Sequence, residues 1–140
     1  RVAGGRPRIS ARSDAYTAVS IAHVLPLGGE DLSAYAGSPA LVRASGDEAF
    51  ETVAAGEAVV EHPAPGEVVW RDERGVTCRM WNWRQCRRTL LTEETTEAVF
   101  ILDGLGGLGA DGLEAAGGAL IERLTMLSPG ASFGRRTLSR

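Results

Sequence analysis

The sequence contains no lysine. All fifteen of its cations are arginine, set against eighteen Asp and Glu for a formal net charge of −3. A chain with that balance is not a basic nucleic-acid binder as a whole, so DNA is not expected as a partner, although charge is uneven locally. Long apolar runs are also missing. Nothing approaches the length of a membrane span and no signal-peptide pattern is present, so neither a membrane partner nor secretion is expected and a cytoplasmic setting is. Cysteine is scarce, and both residues, Cys78 and Cys86, lie in one β-prone run. Were that run extended, about 3.3 Å per residue would hold them on the order of 25 Å apart, too far to bridge. That excludes a disulfide framework and agrees with a reducing compartment. Two histidines and two cysteines without zinc-like spacing give no metal site, and no cofactor is expected. A Ser-His-Asp set, a paired-carboxylate motif, a Walker loop and internal repeats are absent. Gly106, Gly107 and Gly109 lack the full G-x-G-x-x-G pattern and read as a linker.

What is present suits one globular domain over residues 1–140, with 44% hydrophobic and 24% charged residues. Residues 1–12 and 130–140 read as irregular, basic ends. The chain opens Arg1-Val2-Ala3 and its first methionine is Met80, from which a fragment lacking an N-terminal portion is expected. Ala15, Ala18, Val19 and Ala22 recur at helical spacing after Ser13-Asp14 and predict a helix that stops before Pro26. His23 falls in its last turn as a structural residue. Residues 28–37 read as a Gly-bounded loop with a short helical turn. Leu41–Ala44, Phe50–Val53 and Ala58–Glu61 read as strands, with Ser45–Glu48 as a turn. His62 precedes a proline and belongs to a rigid loop. Thr89–Glu97 reads as a helical turn and Ala98–Leu102 as a strand ended by Asp103. A capping box at Asp111 opens a helix with an apolar face of Leu113, Ala116, Leu120, Ile121, Leu124 and Leu127, ending at Pro129. Strands in the middle and a helix at each end indicate an α+β (mixed α/β) fold, a central sheet flanked by helices.

The most unusual stretch is Glu67–Arg88. Val68–Trp70 and Val76–Gln85 flank a short charged loop ending at Gly75 and predict a β-hairpin. If the second arm stays extended, Arg79, Trp81, Trp83 and Gln85 share one face. Such a face is either arginine stems packed over indoles or a binding surface. Arg79, Arg84, Arg87 and Arg88 fall within ten residues that contain no acid, which suggests contacts to RNA phosphates.

Pro26-Leu27-Gly28-Gly29-Glu30-Asp31-Leu32, the Leu41–Glu48 strand and turn, Glu67-Val68-Val69-Trp70, Trp81-Asn82-Trp83-Arg84-Gln85 and the Thr-rich 92–97 segment occur in an order that resembles a known family. It is the tRNA-editing (B3/B4) domain of the bacterial phenylalanyl-tRNA synthetase β subunit, and more closely that domain's free-standing relatives, over about residues 8–127. The resemblance implies a trans-acting hydrolase that removes a mischarged amino acid from tRNA, with the acceptor end of tRNA and an amino-acid moiety as ligands. The family's pocket histidine falls on Ser33, its helix threonine at or beside Tyr16 and Thr17, its small pocket-floor pair near Trp81-Asn82, and its substrate-reading acid is best matched by Asp103. Trp83 joins them through the same run. A non-catalytic module binding tRNA or an amino-acid-like ligand is the alternative, since Ser33 replaces the histidine and Trp81 is bulky. The catalytic residues are not identified by the resemblance.

Overall fold

The structure is a computed structural model that describes residues 11–104 and 106–138. The first ten residues of the expected basic lead-in, and residues 139–140 of the basic tail, lie outside the described residues. Helix α1 spans Ala11–His23 and begins two residues before Ser13, so Arg12 belongs to it and donates to the Thr92 carbonyl at 3.0 Å. Helix α2, Gly109–Leu127, packs against it. Its first turn contains Asp111, but Leu108 stands at the N-cap with no side-chain hydrogen bond, so the expected capping box does not form. Ala15 and Val19 of α1 meet Ala116, Leu120 and Leu124 of α2, and Leu25 and Leu27 close the cluster. Each such leucine or valine contributes about 1.5–3 kcal/mol through burial.

The α+β class is observed, and its strands pair antiparallel throughout. β1 (Leu27–Asp31) pairs with β8 (Ala98–Leu102). β2 (Ala40–Arg43), β5 (Val68–Arg71), β6 (Val76–Arg79) and β7 (Arg84–Gln85) form a four-stranded sheet in the order β2-β5-β6-β7. β3 (Phe50–Ala54) and β4 (Glu57–Glu61) form a separate hairpin. Two elements differ from expectation. Residues 27–31 are a strand rather than part of a loop, because the pairing with β8 supplies the stability that a Gly-Gly sequence does not advertise; the helical turn follows as a 3-10 turn, Leu32–Ala34. Residues 89–97 form turns and no helix, since Thr92 and Thr95 bond each other and the Thr95 hydroxyl donates to Asp31.

The larger correction concerns the central hairpin. β5 and β6 pair as expected, but the second arm is not extended to Gln85. It reverses at Met80-Trp81-Asn82 and returns as β7, with Cys78 opposite Gln85 and Arg79 opposite Arg84. Alternation across one long strand therefore does not apply. Nor does the wide separation of the cysteines: Cys86 follows β7 and its N–H donates to the Thr77 carbonyl at 2.7 Å, and both thiols are buried and free.

Candidate functional site

The reversal at 80–82 is conformationally costly. Met80, Trp81 and Asn82 have φ of 50, 52 and 64°, three successive L-residues in the left-handed region, where each is disfavoured by roughly 1–2 kcal/mol. The turn is closed by the Trp83 N–H, which reaches the carbonyls of Arg79 and Met80 at 3.2 and 3.1 Å. Facing it, at the end of α1, Val24 has φ 52°, a conformation that a β-branched residue rarely takes. Only Ala55, in the β3–β4 turn, shares this property among the described non-glycine residues. Four of the five strained positions thus line one place, and strain of this kind concentrates at binding and catalytic sites.

That place is an open groove of about 530 Å³ between the α1–β1 corner and the 80–83 turn. Ile21 and Val24 form one wall, Met80, Trp81 and Trp83 the other, with Leu25 and Leu27 beneath. Val24 is 89% exposed and Trp83 80% exposed. An apolar cluster left open to water over so small an area, on strained backbone, costs free energy without stabilising the fold. The lining is poor in polar groups: Ser20 uses its hydroxyl on the Leu25 carbonyl at 2.6 Å, leaving Asn82.

Asn82 connects the groove to Asp103. Its Nδ2 donates to Asp103 Oδ2, and the Asp103 N–H bonds the Pro26 carbonyl at 3.0 Å, which ties the end of β8 to the α1–β1 corner. Asp103 is 9% exposed. Burial pushes its carboxyl above the usual aspartate range, and the Asn82 hydrogen bond works in the opposite direction.

The other residues singled out from the sequence lie elsewhere. Tyr16 is half-buried, its ring 6.1 Å from that of Phe100, and Thr17 is half-buried on the same helix. Ser33 is exposed in the 3-10 turn, where its N–H and hydroxyl both bond Asp31. None of the three lines the groove. The arginines do not form a free cationic patch. Arg79, 8% exposed, holds Glu67 through two bonds of 2.8 Å and Glu61 at 3.0 Å. Arg84 forks onto Glu61 at 2.8 and 2.9 Å. Their guanidiniums each lie 5.4 Å from the Phe50 ring centroid, so arginine stacks on a phenylalanine and not on the indoles. Arg88 holds the buried carboxylate of Asp72 at 2.8 and 3.0 Å. Arg87 alone of the four is exposed.

The sequence also hid a buried acid. Glu30, 1% exposed, accepts hydroxyl bonds from Thr89 at 2.6 Å, from Thr77 at 3.3 Å and from Tyr35. Burial raises its pKa, against those three bonds and the more distant Arg88. Its neighbours are glycines and an aspartate in a stretch that reads as a loop, so no local signal marks it. Among the described residues no His, Cys, Asp or Glu cluster could hold a metal ion, and no helix is long and apolar enough to cross a membrane.

Residues 1–107 match the family model of the B3/4 domain, about three quarters of the chain. The chain belongs to the B3/4 domain family. It is thereby a tRNA-synthetase-related domain, as the sequence motifs imply. No curated protein and no solved structure matches. The match to the B3/4 domain runs from α1 through β8 and takes in both walls of the groove, Asn82 and Asp103, whereas α2, which completes the core beneath α1, lies beyond it.

Proposed function

We propose that this B3/4 domain is an aminoacyl-tRNA deacylase acting in trans, and that the groove receives the aminoacyl-adenosine end of a mischarged tRNA. One observation carries the reading: a turn of three left-handed residues holds Trp81, Asn82 and Trp83 around an apolar groove inside the family-matched stretch. Exposed indoles offer stacking surfaces for an unpaired base, worth about 1–3 kcal/mol per base. The apolar lining suits an amino-acid side chain. Asn82 supplies a polar contact at one end, with Asp103 bonded behind it.

The reaction needs no enzyme nucleophile. Water attacks the ester carbonyl, the carbonyl–oxygen bond to the ribose breaks, and the ribose oxygen leaves with a proton, releasing free amino acid and tRNA. Positioning of the water and hydrogen-bond donors to the developing oxyanion provide the acceleration. In this reading Asp103 accepts a hydrogen bond from a hydroxyl or ammonium of the bound amino acid, and Asn82 orients it. Arg87 is the cation of the 79–88 run left to contact a phosphate, since Arg79, Arg84 and Arg88 hold acids.

A second reading, binding without catalysis, is favoured by the scarcity of polar side chains in the groove. Deacylation of a panel of mischarged tRNAs separates the two. The proposal expects release of at least one amino acid faster than the uncatalysed rate, slowed about tenfold by Trp83→Ala. Tight binding of tRNA or of an aminoacyl-adenosine analogue with no deacylation of any member decides for the binding module.

A further inference from the structure

We infer that Gly28 is the positioning residue of this site: its missing side chain is what lets the Asn82 carboxamide lie against β1 and hold Asp103. The site itself rests on the functional reading above, whereas the packing argument does not. A Cβ built on Gly28 would stand 2.9 Å from Asn82 Oδ1 and 3.0 Å from both Asn82 Cβ and Cγ. Real Cβ atoms essentially never come within 3.0 Å of a neighbour, and 3.0 Å is itself tighter than nine in ten of their contacts, so one partner must move. Asn82 has little freedom to give way, because its Cβ is fixed by the left-handed turn and its Nδ2 is engaged by Asp103.

Nothing in Gly28's own backbone calls for glycine. It is a buried residue, the second of the regular strand β1, opposite Ile101, and its φ lies outside the left-handed range. Glycine weakens a strand interior and marks a place where something approaches closely. Here that something is the carboxamide. Asn82 Oδ1 is buried without a hydrogen-bond partner, a cost that a purely structural side chain would avoid. The cost is intelligible if the amide is held with its N–H toward Asp103, which leaves its oxygen in the space a Gly28 side chain would take. Gly28, Asn82 and Asp103 thus form one chain of contact from β1 through the 80–82 turn to the end of β8.

The test uses Gly28→Ala, Asn82→Gly and the double variant, and reads the Asp103 carboxyl by carbon-13 NMR titration, which needs no activity. Asn82 is the hydrogen-bond partner that lowers the Asp103 pKa against burial; Cys78 on β6 is the ionisable neighbour that feels its charge. Displacing the carboxamide should therefore move the Asp103 midpoint upward in Gly28→Ala and again in Asn82→Gly. Adding Gly28→Ala to Asn82→Gly should change nothing further, because the atoms that clash are gone and glycine accepts a φ of 64°. With a deacylated substrate in hand, each single variant should lose about tenfold in kcat/KM with the same shift in the pH profile. An unshifted Asp103 midpoint in folded Gly28→Ala, or additive shifts in the double variant, would overturn the inference. If Gly28→Ala fails to fold, a folded double variant supports it and an unfolded one overturns it. A parent that deacylates nothing refutes the functional proposal and leaves the titration to decide on Gly28.

Discussion

Asp103 and Glu30 are both buried carboxylates with raised pKa values, and their surroundings assign them different work. Glu30 is closed in by three hydroxyls from the 3-10 turn region, β6 and the loop after β7, and does not line the groove. Glu30→Ala strands those hydroxyls and should lower unfolding free energy by about 3 kcal/mol or more, read from urea denaturation. Asp103 is reached from the groove through Asn82. Asp103→Asn should keep the fold and reduce deacylation or ligand affinity tenfold or more, about 1.4 kcal/mol. A variant equal to its parent in every assay where the parent is active removes Asp103 from the site. The stability effect has the opposite sense. A carboxyl whose folded pKa is raised binds its proton more tightly folded than unfolded, so the parent loses stability as pH rises from the ordinary aspartate range through the raised value. Asp103→Asn should show a smaller loss across that window.

At the scale of elements, the arginine-rich hairpin is a clamp. Arg79 and Arg84 reach across to Glu61 and Glu67 and cover Phe50, holding the β3–β4 hairpin against the four-stranded sheet. Arg79→Ala leaves Glu67 without its arginine, while Glu61 keeps Arg84, and should cost about 1.5–3 kcal/mol of stability, read from urea denaturation. Arg87→Ala should change stability by less than about 0.5 kcal/mol while lowering the log-log salt slope of tRNA binding by about 1. An unchanged slope would show that Arg87 meets no phosphate. The acid-free spacing of these arginines suggested a free patch because the neutralising acids lie 12 to 23 residues away and arrive only through strand pairing. The two-residue reach of β7 was equally hidden. Non-glycine residues in left-handed conformation carry no local sequence mark, so Met80-Trp81-Asn82 reads as continued strand.

For the whole molecule, carboxylates shifted in both directions shape the dependence of stability on pH. Backbone N–H groups of Ser45 and Gly46 hold Glu48 down to about 2. Arg84 lowers Glu61 and Arg79 lowers Glu67. Burial opposes the charge on Asp72, but Arg88 and three backbone N–H groups outweigh it and leave its carboxyl below the ordinary range. These depressed groups stabilise the fold above their ordinary values, and the contribution is lost as pH falls from about 4.5 toward 2. Glu30 and Asp103 act the other way on the rising side. Unfolding midpoints measured from pH 2 to 8 should therefore pass through a maximum in the mildly acid range. Glu48→Gln should flatten the acid limb, and a limb unchanged by it would assign the loss to the other depressed carboxylates.

The amino-acid order alone determined the α+β class, the β5–β6 hairpin, the terminal helices, the strand that ends at Asp103 and the family. Each of these is written locally, as periodicity, turn residues or motif. Tertiary structure alone decided that Asn82 meets Asp103, that Glu30 is buried, that arginines face acids and that the indoles ring a groove. The arginine–acid pairs arise from strand pairing, whereas the burial of Glu30 and the seating of Asn82 depend on β1, whose Gly-Gly run has no side-chain pattern to read. Glycine contributes to the site by leaving space, and what fills that space comes from more than fifty residues away.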